Sequence, residues 1–448
     1  MDMVQTTIAK PGAPAIRGAT AAEIAGSIEA AIREGRLPPG ARLAPVRALA
    51  AELGVSPATV NAAYRSLRGR GLLAAAGRRG TSVRARPPLR IALAPPVPAG
   101  ARDLASGNPD PELLAPLARL LARVDPTPRL YGEPHELAAL RDAAQAAFAA
   151  DGIPGAHLAV TSGSLDAIER VLDAHLRPGD RIAVEDPGFS NVLDLVAALG
   201  FEAVPVALDD RGVRPDALEG ALVRGVAALL VTPRAQNPTG AAFDAGRARD
   251  LRRVLRRHPD VLLIEDDHAG AVAGAPAHTL WERGRARWAV VRSTSKTHGP
   301  DLRVALLAGD RETVARVAGR QRIGFRWVSH LLQDLAAGLE SDPGSRRRLA
   351  RAARSYGVRR EALLAALARE GVEAHGRSGL NVWIPVPEEA GAVQALLAAG
   401  FAVAAGERFR IESPPAIRIT IARLAPAEAP RLAAAVAGAL RPSRSASV

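Results

Sequence analysis

Beyond Asp103 the chain repeats one rhythm, a short apolar run followed by an amphipathic stretch of helical length. The runs are Leu158 to Val160, Arg181 to Val184, Ala203 to Val206, Ala227 to Val231, Val261 to Ile264 and Ala289 to Val291. Between them, segments such as Leu165–Leu176 and Ala245–Arg257 carry apolar residues at the helical period. Short runs without polar alternation fit strands buried on both faces, which requires helices covering both sides of a sheet. The pattern predicts an α/β fold with a mostly parallel sheet over 103–344. A smaller α+β lobe is expected over 345–448.

Upstream, Arg84 to Arg102 carries Pro87, Pro88, Pro95, Pro96 and Pro98. Proline fixes φ and removes a backbone donor, so 84–102 reads as an extended linker without a core of its own. It sets off a compact N-terminal unit, 16–83. Charge follows the same division: of the net +13, residues 1–102 hold +10. A basic unit tied to a nearly neutral one points to a polyanion partner at that end. The chain has no cysteine, which excludes disulfides, thiolate catalysis and cysteine zinc sites and fits the cytoplasm. No apolar run reaches the ~18 residues of a membrane-spanning helix, so no membrane association is expected.

The N-terminal unit reads as helix, turn, helix. Ile24, Ile28 and Ile32 form one stripe, Gly35 to Gly40 interrupts it, and Val46 to Leu53 is a second helix ended by Gly54. Ser56-Pro57 opens a third, serine suiting the N-cap and proline the first helical position. Val60, Ala63, Tyr64 and Leu67 make its buried stripe. Ala58, Thr59, Asn61, Ala62 and Arg65 face outward, small or polar groups that can approach base edges and phosphates. Two short strand-like segments around the basic turn Gly77-Arg78-Arg79-Gly80 have the form of a wing. This stretch resembles the winged helix-turn-helix of GntR-type bacterial regulators. The resemblance implies DNA contacts from Arg47, Ser56, Thr59 and Asn61, with Gly77, Arg78 and Arg79 at the minor groove or backbone. Arg65 joins them from the outer face of the helix. Pro57 stands where that family often has arginine, so the operator does not carry over.

The α/β part holds an unusual lysine. Of 59 lysines and arginines, only Lys10 and Lys296 are lysine. An amine forms a Schiff base and a guanidinium does not, so Lys296 is either a nucleophile or a leftover cation on this count alone. Other polar groups close the same apolar runs: Thr161-Ser162-Gly163-Ser164, Phe189, Asn237-Pro238-Thr239-Gly240, Glu265-Asp266-Asp267-His268 and Arg303. Ligands of open α/β sheets bind beyond the carboxyl ends of the strands. Each group alone also reads as a solvated strand end, a core aromatic or a surface cation. Together, in this order, they are what a pyridoxal 5′-phosphate (PLP) site needs: an amine, a carboxylate for the pyridinium nitrogen, phosphate donors and a stacking ring.

Residues 103–448 resemble the fold-type I aminotransferases. The resemblance gives Lys296 the Schiff base, Asp266 the ring nitrogen and Asn237 the ring oxygen. Phe189 would stack on the ring, and Gly163, Ser164, Ser293, Ser295 and Arg303 would hold the phosphate. Tyr131 would reach the phosphate of a partner subunit, and Arg418 would grip a substrate or effector carboxylate. His268 stands where relatives usually have tyrosine; an imidazole N–H can donate to the ring oxygen in its place.

The two halves together resemble the MocR subfamily of GntR-type regulators. That implies a cytoplasmic head-to-tail homodimer which binds double-stranded operator DNA and answers to PLP. It also implies a vestigial aminotransferase site and control of vitamin B6 metabolism. An active aminotransferase tethered to DNA, a sensor of an amino compound read by Arg418, and a ligand-free dimerisation scaffold remain as alternatives.

Overall fold

A computed structural model describes residues 16–33, 36–69, 72–75, 80–83 and 97–441. It divides into an N-terminal and a large compact unit. Gly77, Arg78 and Arg79, and the expected linker as far as residue 96, lie outside the described residues.

The N-terminal unit comprises α1 (Ala21–Arg33), α2 (Val46–Leu53), α3 (Pro57–Gly69), β1 (Leu73–Ala75) and β2 (Thr81–Val83). Each helix begins or ends where local chemistry requires. Glu23 N–H donates to Thr20 Oγ1 at 3.3 Å, and Ala19 N–H donates to Glu23 Oε2 at 2.8 Å, a reciprocal cap on α1. Gly54 ends α2 at φ 64, a left-handed conformation that glycine adopts without strain. Thr59 N–H donates to Ser56 Oγ at 3.1 Å, which caps α3. Ile24, Ile28, Val60, Ala63, Tyr64 and Leu67 form the core with Leu73 and Val83 from the antiparallel β1–β2 pair. The buried Tyr64 hydroxyl donates to Ala44 O at 2.7 Å and so fastens α3 to the approach to α2.

In the large unit, β3 (Arg102–Asp103) precedes β4 (Leu158–Thr161), β5 (Arg181–Asp186), β6 (Glu202–Asp209), β7 (Gly212–Val213), β8 (Ala228–Val231), β9 (Leu262–Asp267), β10 (Trp288–Ser293) and β11 (Ala305–Gly309). The sheet order is β4-β11-β10-β9-β8-β5-β6-β7. β5, β8, β9 and β10 run parallel in succession, so their carboxyl ends share one edge. β11 is the strand the apolar rhythm did not announce, and it pairs antiparallel with both β10 and β4. The connection Thr294–Val304 is shorter than a parallel crossover, which takes about a dozen residues or more. The chain therefore turns straight back, with the lysine loop at the turn. Leu229, Val231, Leu263 and Val290 pack with Leu251 and Leu255 of the helix Ala245–Arg256 in the main core.

The smaller lobe contains the long helix Pro343–Arg369 and β12 (Asn381–Pro385), β13 (Phe401–Ala402), β14 (Ala404–Ala405) and β15 (Ala416–Thr420). β12, β15 and β14 form an antiparallel sheet over a core of Tyr356, Leu363, Leu367, Val382 and Ile419. Leu104 and Leu113 belong to that core, and β3 pairs with β13. The first residues after the proline-rich stretch are thus built into the smaller lobe, although they precede the large sheet in sequence.

Candidate functional site

Strand alternation explains the acidic run that ends β9. Successive side chains point to opposite faces, so Glu265 and Asp267 share one face and Asp266 the other. Glu265 accepts from Thr279 Oγ1 at 3.0 Å and from Leu280 N–H. Asp267 accepts both arms of Arg234 at 2.8 Å and Arg292 Nε at 3.1 Å, and these guanidiniums hold its carboxyl below the usual range despite burial. Asp266 has no such partner. It is 3% exposed, and its Oδ1 is buried without a hydrogen bond. Burial, then the neighbouring Asp267 and Glu185, push its carboxyl up to about 7.

Lys296 follows β10, and its Nζ donates to Gly107 O at 2.7 Å. Burial, then the positive charge of Arg418, lowers it to about 8. Arg418 lies on β15, 5% exposed, with its guanidinium 4.7 Å above the Phe409 ring. Its Nη1 donates to Asn237 Oδ1 at 3.0 Å, and its Nη2 donates to Ala105 O. Burial, then Arg408, brings it down to about 10. Asn237 Oδ1 also accepts from Asn381 Nδ2 at 3.3 Å, so the amide oxygen is engaged and the NH2 group is the end that can donate elsewhere.

His268 departs from expectation. Its Nε2 lies 3.0 Å from Ala235 O. A carbonyl oxygen only accepts, so Nε2 carries the hydrogen and Nδ1 is a bare acceptor. Burial, then Lys296, lowers the imidazole to about 4, which keeps the ring neutral. The single N–H is spent on Ala235, so this geometry does not offer the donor that was expected for a ring oxygen.

The register joins a second set of groups. Ser293 of β10 stands opposite Ala305 of β11, which stands opposite Thr161 of β4. Ser162 to Ser164, Ser293 to Ser295 and Arg303 therefore meet at one sheet edge. Ser164 begins the helix Ser164–His175, whose first N–H groups form a natural anion site. Arg303 Nη2 donates to Ser162 O at 2.7 Å. Gly163 has φ +101, and a Cβ there would meet Arg303 Nη2 at 2.2 Å, so only glycine lets the guanidinium settle here. Ser293 Oγ donates to Ser295 Oγ at 2.9 Å and accepts Ser295 N–H at 3.1 Å. Phe189 follows β5 and is half-buried.

Tyr131 is not brought to Lys296 of its own chain. It is 79% exposed, edge-on to Trp327 at 5.6 Å and under the Arg326 guanidinium at 4.7 Å. On the N-terminal unit, Arg47, Ser56, Asn61 and Arg65 are exposed and Thr59 is half-buried. Ser56 Oγ and Thr59 Oγ1 lie 2.8 Å apart, so these hydroxyls serve the cap of α3. The sequence reading missed Arg234, which neutralises Asp267. Three consecutive acids on a buried strand were the available signal that cations must come from elsewhere.

Residues 101–436 match the model of aminotransferase class I and II, and residues 20–83 match that of the bacterial regulatory proteins of the gntR family. The chain is 41% identical to the vitamin B6 salvage pathway transcriptional repressor PtsJ of Salmonella typhimurium, over 95% of this chain and 99% of that protein. It is 29% identical to the pyridoxine biosynthesis transcriptional regulator PdxR of Corynebacterium glutamicum, over 73% and 74% of the two chains. The Pyrococcus horikoshii kynurenine aminotransferase superposes with a TM-score of 0.70 at 21% identity, covering 77% of this chain and 92% of that one. The fold is that of the fold-type I aminotransferases. The chain belongs to the MocR-type regulators of the GntR family, in which a helix-turn-helix region is fused to an aminotransferase-like domain.

The donors present suit a pyridoxal phosphate. Asp266 Oδ1 is a buried carboxyl oxygen without a hydrogen-bond partner, Lys296 is a half-buried amine with a lowered pKa, and the Gly163–Arg303 corner is a cationic cradle at a helix start. No helix among the described residues is long and apolar enough to cross a membrane.

Proposed function

We propose that this chain is a DNA-binding transcriptional regulator that binds PLP at Lys296 and controls vitamin B6 metabolism in response to it. The observation that carries the reading is Asp266. A buried carboxylate oxygen without a partner costs free energy, which a cationic N–H ligand would recover. The roles of PtsJ in vitamin B6 salvage and of PdxR in pyridoxine biosynthesis support vitamin B6 as the regulated process. When bound, PLP supplies an aldehyde carbon for the Lys296 amine and a ring nitrogen for Asp266.

The residues of this chain would then act as follows. Asp266 holds a proton on the ring nitrogen. The Asn237 NH2 group donates to the ring oxygen. Phe189 stacks on the ring, and Gly163, Ser164, Ser293, Ser295 and Arg303 bind the phosphate. In the homodimer expected of such regulators, the exposed Tyr131 supplies a further phosphate contact to the partner subunit.

The link to DNA runs through Ala105–Gly107. Lys296 donates to Gly107 O and Arg418 donates to Ala105 O, so both cations clamp this short arm. Arg102 N–H donates to Gly400 O at 2.8 Å and Leu104 N–H to Ala402 O at 2.9 Å, which tie the start of the arm to the smaller lobe. The arm leads directly, along the sequence, into the proline-rich stretch and the DNA-binding unit. With PLP bound, Nζ would keep at most one hydrogen, its contact with Gly107 O would weaken, and operator affinity would shift by the difference in affinity for the two arrangements of the arm.

The test is a titration of apo-protein with PLP, read as pyridoxal absorbance and as operator affinity in parallel, with Lys296→Ala alongside. Wild type should gain the absorbance band and change its affinity, and the variant should do neither. Affinity indifferent to PLP in loaded wild type would refute the reading. A second reading rests on Arg418, whose Nε is buried without a partner. A carboxylate-bearing amine would satisfy it, and an operator response to such amines in place of PLP would favour that reading.

A further inference from the structure

Residues 103–448 carry net +3, yet Pro343–Arg360, the first two-thirds of one helix, holds seven arginines and no acid. The rest of the large unit is therefore net negative, and its positive surplus is concentrated here. Three of the seven are committed to the fold. Arg360 is buried and donates to Gly379 O at 3.0 Å, Arg359 pairs with Asp110 at 2.9 Å, and Arg348 donates to Glu112 O at 3.3 Å. Arg346, Arg347, Arg351 and Arg354 are exposed, and among the described residues none of them forms an ion pair or a hydrogen bond through its side chain.

Arginine is abundant throughout this chain, so the comparison that matters is with another arginine-rich helix. On Ala245–Arg256 and its cap, three of the four exposed arginines are neutralised: Arg253 meets Asp250 at 3.2 Å, Arg256 meets Glu282 at 2.8 Å, and Arg257 meets Glu219, leaving Arg249 alone. Nothing comparable is built around the four arginines of Pro343–Arg369. At about 100° and 1.5 Å per residue, they fall within one arc of roughly 140° and along about 12 Å of helix. Asp342, the acid next to the stripe, is used as the N-cap, accepting Ser345 N–H at 2.6 Å. Glu361 lies beyond the far end. The positive end of the helix dipole adds to the same potential.

We infer that Arg346, Arg347, Arg351 and Arg354 form a second DNA-binding surface, on the aminotransferase-like unit, that contacts the phosphate backbone of double-stranded DNA without reading its sequence. Charge complementarity selects the occupant, because four unpaired guanidiniums in a row match a phosphate chain, and the same polypeptide carries a helix-turn-helix that brings DNA to it. The inference rests on the proposed DNA-binding reading. It adds a contact outside the reader, so that operator affinity depends on duplex beyond the recognised bases.

The measurement is the salt dependence of full-length protein binding to a mixed-sequence duplex of about 60 base pairs, since each phosphate contact contributes about 0.9 to the slope of log affinity against log salt. The variant R346Q/R347Q/R351Q/R354Q should lose between about 1 and about 3.6 of that slope per protomer, and bind at least about tenfold more weakly near 100 mM salt. The control R249Q/R253Q/R256Q/R257Q, with the same loss of charge, should stay within about twofold of wild type. The lysine set R346K/R347K/R351K/R354K should restore the slope, which separates lost charge from lost folding. Equal slopes for wild type and the first variant would overturn the inference, as would equal losses in both glutamine sets. Wild type that fails to bind any duplex would sink the DNA-binding reading itself.

Discussion

Replacing Asp266 by asparagine tests the electrostatics of the site without reference to regulation. The ordinary carboxyl value of 3.8 is pushed up to about 7 in the folded chain, first by burial and then by Asp267 and Glu185. An acid whose folded value lies above its unfolded one binds more protons when folded, so stability is lost as pH rises through the interval between the two. The full interval corresponds to about 4 kcal/mol at about 1.4 kcal/mol per pH decade, and the part between pH 5 and 8 to about 3 kcal/mol. Asparagine does not ionise and lacks this dependence. Urea unfolding of apo wild type and Asp266→Asn at several pH values should show the variant gaining about 3 kcal/mol on wild type from pH 5 to 8. Glu265, also pushed up to about 7, remains in both proteins and cancels in the difference; Glu185, pushed up likewise, is relieved of the Asp266 charge in the variant, which adds to the gain in the same direction. Saturating PLP should reduce the gap, because a cationic nitrogen beside Asp266 restores its ordinary acidity, and the variant should bind PLP more weakly. Parallel pH curves for the two apo-proteins would refute the argument that Asp266 is an uncompensated buried acid.

Three further outcomes follow from the geometry. The rate of PLP attachment should rise with pH and level off above about 8, because burial lowers Lys296 to that value and only the free amine attacks; stopped-flow absorbance measures it. Gly163→Ala forces a Cβ against Arg303 at φ +101, so it should destabilise the chain by roughly 1–3 kcal/mol in thermal unfolding and weaken inorganic phosphate binding in calorimetry. Ser56→Ala removes the cap of α3 and should cost about 1 kcal/mol of stability in the N-terminal unit, followed by hydrogen exchange in Thr59 to Leu67, with a parallel loss of DNA affinity.

Which parts were legible depended on how locally the information was stored. The stripes of α1 and α3, the Ser56 cap and the runs that became β4, β5, β8, β9 and β10 are patterns within a few residues, and they appear in the structure within two residues, except that β9 runs three residues past its apolar run. Most candidate groups around Lys296 were legible because they follow the ends of strands, and parallel strands put their carboxyl ends together; Arg303 stands before β11 and Arg418 within β15. β11 was not, since an apolar run does not state its direction; the short return from β10 decided it. Arg234 was also invisible, because its partner Asp267 lies thirty-three positions away and only packing brings them together.

The sequence by itself determined the alternation of strands and helices, the separation of a basic N-terminal unit, and the presence of an amine where arginine is otherwise used. Only the tertiary structure decided that Asp266 is orphaned while Asp267 is doubly paired, and that the one N–H of His268 is given to Ala235. It alone joined the Ala105–Gly107 arm to Lys296 and Arg418. The physical reason is range. Helical period, strand alternation and capping are set by neighbours along the chain. Burial and the choice of hydrogen-bond partner belong to groups that meet only when distant segments pack, and those two quantities set the proton affinities at this site.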